Sequence, residues 1–153
     1  VNAAHVHLIL NHVPILGAVF GVLVLLVGIL GKRRAWLQVS WFIFIVAALS
    51  AIPTYLSGQS AEKIVGELSG VSDEFMEPHE EIAFYALIAL ETLGALSLLF
   101  LVLTRKREAA PWMIYVTLVV SLFTAALAGY TANLGGQIHH PEARRGFVPP
   151  PVE

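Results

Sequence analysis

The chain contains no cysteine, which excludes disulfides, thiolate-held iron–sulfur clusters, c-type haem attachment and cysteine-based zinc sites. Charge is scarce: 13% of the 153 residues are Asp, Glu, Lys or Arg, against roughly 25% in a soluble domain. Residues 1–31 carry none of these four types, and a stretch of about 20 apolar residues suffices to cross a bilayer. No basic residue precedes Lys32 and the apolar run is far longer than a signal-peptide core of about 7–15 residues, so the first segment reads as a span with a short translocated tail. A net charge of −2 and the lack of a basic, aromatic-interleaved patch give no reason to expect nucleic acid.

Four spans follow from the remaining punctuation. They run over about 8–30, 36–56, 80–103 and 111–134, with tight links at 31–35 and 104–111. Such short links make spans 1–2 and 3–4 antiparallel hairpins. The expected fold is therefore all-α, an integral membrane four-helix up-down bundle over 1–140. Residues 57–79 are expected as one long acidic loop, and 141–153 as an extended Pro-rich tail carrying Pro149, Pro150 and Pro151. Six of the nine Lys and Arg residues sit in the two tight links. The positive-inside rule then puts the links in the cytoplasm and both termini outside, in a bacterial inner membrane. Trp36 and Trp112, just past the basic clusters, fit interfacial positions.

The hairpins look like repeats of one another: a His-containing start, an apolar run, a basic turn, a tryptophan and a second run ending in Gly-Gln. On that comparison Tyr55-Leu56-Ser57-Gly58-Gln59 aligns with Asn133-Leu134-Gly135-Gly136-Gln137. Gly17, Gly21 and Gly28 line one side of span 1, the pattern of close helix packing.

All six histidines fall at the end opposite the basic links: His5, His7 and His12 before span 1, His79 before span 3, His139 and His140 after span 4. With a rise of about 1.5 Å per residue and a core about 30 Å thick, several of them share one shallow layer. Imidazoles converging from separate helices are how bundles hold haem and metals. A bis-histidine haem takes its ligands from opposite sides of the ring, so each pair should join two helices. His12 with His79 is the first pair expected from depth and His7 with His140 the second; both together would accommodate two haems. Arg144 and Arg145 offer partners for haem propionates or anionic headgroups. A non-haem copper, zinc or iron site drawing on the same histidines, and a purely structural subunit, are the alternative readings.

Glu91 lies deep in span 3, where an ionisable group costs at least ~2.5 kcal/mol on insertion scales. Glu80 falls within about 20° on the same helix face. Together they suggest a proton path or quinone contact, whereas a hydrogen bond across the bundle is the structural alternative.

The start His7-Leu8-Ile9-Leu10-Asn11-His12-Val13-Pro14 and the end Gly135-Gly136-Gln137-Ile138-His139-His140 resemble those of a family of bacterial four-span membrane proteins of unknown function. That family is suspected to work beside respiratory redox modules. The resemblance implies a role in electron transfer, with a redox partner or larger membrane complex. The chain departs from many such proteins in having Val13, not an aromatic, after the second histidine. The expected function is thus a b-type cytochrome or haem-carrying subunit, relaying electrons to or from quinone.

Overall fold

The computed structural model describes residues 2–66, 68, 71 and 73–149, with the side chain of Asp73 outside that description. Five α-helices follow one another among the described residues: α1 (Ala3–Leu10), α2 (His12–Leu30), α3 (Arg34–Val65), α4 (Asp73–Leu103) and α5 (Pro111–His139). Among the described residues there is no strand. Asn2 caps α1 by accepting from the His5 N–H, and α1 runs almost directly into α2 through Asn11, whose backbone is itself helical. Pro14 explains the break. It has no N–H to give the Leu10 carbonyl, and that oxygen instead faces the Thr54 hydroxyl of α3 at 3.4 Å.

Among the described residues, four segments are long and apolar enough to cross a membrane: Ala3–Leu30, Arg34–Val65, Glu74–Leu103 and Pro111–His139. α2–α3 and α4–α5 form the hairpins, while α3 against α4 and α2 against α5 close the up-down bundle. Large apolar side chains such as Leu16, Phe20, Phe42, Leu49, Val119 and Phe123 cover its outside, as a lipid-facing surface requires.

The expected loop over 57–79 is mostly helix. α3 continues to Val65 and α4 already begins at Asp73, so both helices extend into the expected loop. Polar residues at 57–65 end the apolar span without ending the helix, because the hydrogen-bond ladder does not depend on side-chain polarity. At 32 residues, α3 is about 48 Å long and overruns a hydrocarbon core of about 30 Å. The helical ends therefore stand beyond the core at the histidine end. After α5, Pro141–Ala143 form a 3-10 turn, and Pro150 and Pro151 lie outside the described residues.

Close approach is built on small residues. A Cβ at Gly17 would stand 2.7 Å from Ala47 Cβ, one at Gly28 would stand 2.9 Å from Leu37, and one at Gly21 would overlap the Phe44 ring. The glycine stripe of span 1 is thus filled by α3. Towards the basic links, Leu25, Trp41, Phe44, Leu93 and Phe100 form a larger core. Trp41 meets Phe100 edge-on at 5.9 Å and donates its indole N–H to Thr117 Oγ1 across the bundle at 3.1 Å.

The two hairpins are structurally equivalent. The six buried residues of α2 are Pro14, Ala18, Gly21, Val22, Leu25 and Gly28. At one constant spacing they correspond to the buried residues of α4: Ala86, Leu90, Leu93, Gly94, Ser97 and Phe100. A second constant spacing relates Ser40, Phe44, Ala47, Ala51 and Ala61 of α3 to Thr117, Ser121, Thr124, Ala128 and Ile138 of α5, all buried. This register sets Gly58 against Gly135, one residue away from the alignment of the Gly-Gln ends. Burial identifies the matching faces, whereas the repeated letters Gly-Gln do not.

Candidate functional site

His7 and His79 occupy equivalent positions in the two hairpins and are held by equivalent contacts. His7, half-buried on α1, places Nδ1 3.0 Å from the main-chain oxygen of Thr54 on α3. His79, half-buried on α4, places Nδ1 3.0 Å from the main-chain oxygen of Thr131 on α5. A carbonyl oxygen can only accept, so each Nδ1 carries the proton. In the neutral tautomer, Nε2 is then left with its lone pair.

A glycine one turn further along the receiving helix makes each contact possible. Cβ bonds tilt towards the helix N-terminus, so the side chain at the fourth residue on covers a carbonyl. Gly58 and Gly135 leave the Thr54 and Thr131 oxygens open to the rings, and the Thr54 oxygen also accepts from Ser57 Oγ at 2.9 Å. A Cβ at Gly58 would come within 3.0 Å of His7 Cε1, and one at Gly135 within 2.9 Å of His79 Cε1. Thr54, Gly58, Thr131 and Gly135 are site residues that the sequence reading passed over. The signal was present as Thr-x3-Gly twice, at corresponding places in the repeat.

The remaining expected residues are distributed differently. Of the two pairs singled out by depth, His12 with His79 and His7 with His140, each contains one half-buried and one exposed ring. His12 begins α2 on its exposed side, and its counterpart in the second hairpin is Phe84, also exposed. His5 and His139 are exposed, and His140 Nδ1 meets Glu142 Oε1 at 2.9 Å. That contact, after the Glu142 main-chain N–H, holds the Glu142 carboxyl below its ordinary range.

Arg144 is committed to the fold. Its guanidinium donates to the Gln137 and Ile138 carbonyls at 2.9 and 3.0 Å and lies 4.9 Å from the centre of the Phe75 ring. It therefore caps the end of α5 and ties it to the start of α4. Arg145 is exposed. Glu80 and Glu91 are half-buried, and Glu91 Oε1 is shielded without a hydrogen-bond partner among the described residues. The described residues contain no group of three or more His, Cys, Asp or Glu side chains placed to hold a metal ion.

No curated protein and no solved structure matches the chain. Residues 3–141 match the model of the family described as "Predicted membrane protein (DUF2231)", a span that takes in all four membrane helices and both imidazole seats. On that match the chain belongs to this family of membrane proteins.

Proposed function

We propose that the chain is a haem-b-carrying electron-transfer subunit of a bacterial cytoplasmic membrane, with His7 and His79 as the ligand pair. The observation carrying this reading is the matched anchoring of the two rings on the Thr54 and Thr131 oxygens. Metal-binding histidines are characteristically held through the ring nitrogen that does not ligate, which fixes tautomer and orientation. Both Nε2 atoms remain without a hydrogen-bond partner among the described residues. A porphyrin brings its own four nitrogens, so two imidazoles complete the iron. Zinc, copper or non-haem iron draws three or four ligands from protein, and no such group occurs among the described residues. One anchored pair corresponds to one haem.

When bound, haem supplies one-electron chemistry. The chain supplies fixed rings and Glu91 as the membrane-embedded group for proton or quinone handling. Six of the nine Lys and Arg residues in the links support an orientation with the links cytoplasmic and the histidine end outward. A donor or acceptor is then met at the outer face, within or beside a larger membrane complex.

The test is an optical spectrum of the purified full chain, oxidised and dithionite-reduced. A Soret band with a sharpened α band on reduction is expected, abolished or converted by His7→Ala and by His79→Ala. His12→Ala and His140→Ala should leave it unchanged. Absence of a Soret band after expression with haem supplied would overturn the reading.

A further inference from the structure

The outer side of α5 carries two cavities arranged along one stripe. The first, about 440 Å³, is an apolar groove between α4 and α5, formed by Tyr85, Ile88 and Thr92 with Val120, Phe123 and Leu127. The second, about 460 Å³, lies at the histidine end and is formed by Tyr130, Asn133, Leu134, Gln137, Ala143 and Arg145. Val120, Phe123, Leu127, Tyr130, Leu134 and Gln137 recur at steps of three and four residues, so they share one face of α5. Leu127 and Tyr130 are about 4.5 Å apart along the axis, so the two cavities follow one another along α5.

The two cavities differ in chemistry. The groove has an apolar lining with no charged residue. The polar cavity has a phenol, two amides and a guanidinium, and no carboxylate in its lining. Arg145 makes no salt bridge among the described residues. It directly follows Arg144, which is bonded to carbonyls near the end of α5. Gln137 donates to Asn133 Oδ1 at 2.7 Å, which orders the cavity floor.

Counting roughly 20 residues from Trp112 places the edge of the hydrocarbon core near Tyr130 to Asn133, between the two cavities. From Val120 to Leu127 the groove follows α5 for about 10 Å, within one leaflet of a core about 30 Å thick. We infer that these cavities form one binding site for an anionic phospholipid of the leaflet at the histidine end. Its phosphate lies against Arg145 and the Asn133 and Tyr130 donors, and an acyl chain lies in the α4–α5 groove. Charge complementarity selects the headgroup, and the adjoining groove selects a lipid over a free anion. The site does not depend on haem.

Native mass spectrometry of the full chain in mild detergent tests this, with phosphatidylglycerol and phosphatidylcholine of the same chain length. One phosphatidylglycerol should be retained per chain in preference to phosphatidylcholine. Arg145→Gln, a change at an exposed position, should lower that retention about fivefold, the effect of one basic residue near a membrane surface. Thr92→Phe, also at an exposed position, should weaken long-chain phosphatidylglycerol and spare the dihexanoyl form. Equal retention of the two lipids, or an unaffected Arg145→Gln variant, overturns the proposal. Displacement by inorganic phosphate at matched concentration would reassign the cavity to a free anion, and preferential retention of an isoprenoid quinone would also overturn it.

Discussion

His79 Nδ1 lies 3.0 Å from the Thr131 main-chain oxygen, and no side chain at Gly135 stands between them. The same relationship joins His7 to Thr54 beside Gly58. Each ring thus occupies space that any other residue type at the glycine would fill.

Gly135→Ala should displace the His79 ring, because the added Cβ would stand 2.9 Å from Cε1, closer than such atoms pack. Long-range ¹⁵N spectra of the histidine rings should report both His7 and His79 as Nδ1–H in the wild type. In the variant only His79 should shift, with a stability loss of about 1 kcal/mol for the weakened hydrogen bond. Gly58→Ala should do the same to His7 alone. Unchanged ring spectra in both variants would mean the glycines do not determine the seats.

Trp41 is fully buried and joins diagonal helices through Thr117. Trp41→Phe keeps most of the ring and removes the donor, so a loss of about 1 kcal/mol is expected. Trp41→Ala also opens a cavity and should cost about 3–5 kcal/mol. In lipid that cost comes from lost packing between helices rather than from exclusion of water. Unfolding in mixed detergent micelles would measure both.

At the opposite end Arg34 donates to the Thr104 and Arg105 carbonyls and lies 3.5 Å from Glu108. The carbonyl contacts join the two links, and Arg34→Ala should cost about 1–2 kcal/mol with faster amide exchange at 104–107. The Glu108 side of the ion pair is exposed, at 80%, so Glu108→Ala should cost less than about 0.5 kcal/mol. Equal losses in the two variants would contradict this ranking.

Glu91 presents a shielded oxygen without a partner among the described residues, although a carboxyl acting as structural glue would have one. Glu91→Leu should therefore preserve the bundle or stabilise it by roughly 1 kcal/mol, whereas the proposed function predicts a fall in quinone-coupled turnover. Glu91→Gln should also assemble and lose turnover, since an amide cannot release a proton. Destabilisation by Leu together with full turnover in Gln would make Glu91 a packing residue.

Much of this was legible in the residues themselves. The uncharged first 31 residues and the clusters Lys32-Arg33-Arg34 and Arg105-Lys106-Arg107 fix four spans and two hairpins, because lipid forbids unpaired backbone groups and exposed charge. Gly58 and Gly135 were harder to read. Glycine beside a polar stretch commonly marks a helix end, but here both lie inside helices, where the missing side chain admits a ring.

Composition and spacing alone determined the membrane location, the hairpin topology and the gathering of all six histidines at one end. Which of those histidines are half-buried and held by main-chain oxygens belonged to the tertiary structure. Residue spacing gives depth along a helix, but the direction a side chain takes depends on how the helices pack around one another. Packing turned His12 outward, set His7 and His79 in equivalent seats, and used Arg144 to close α5. It also established the one-residue correction in the repeat, since only burial shows which faces of two similar hairpins correspond.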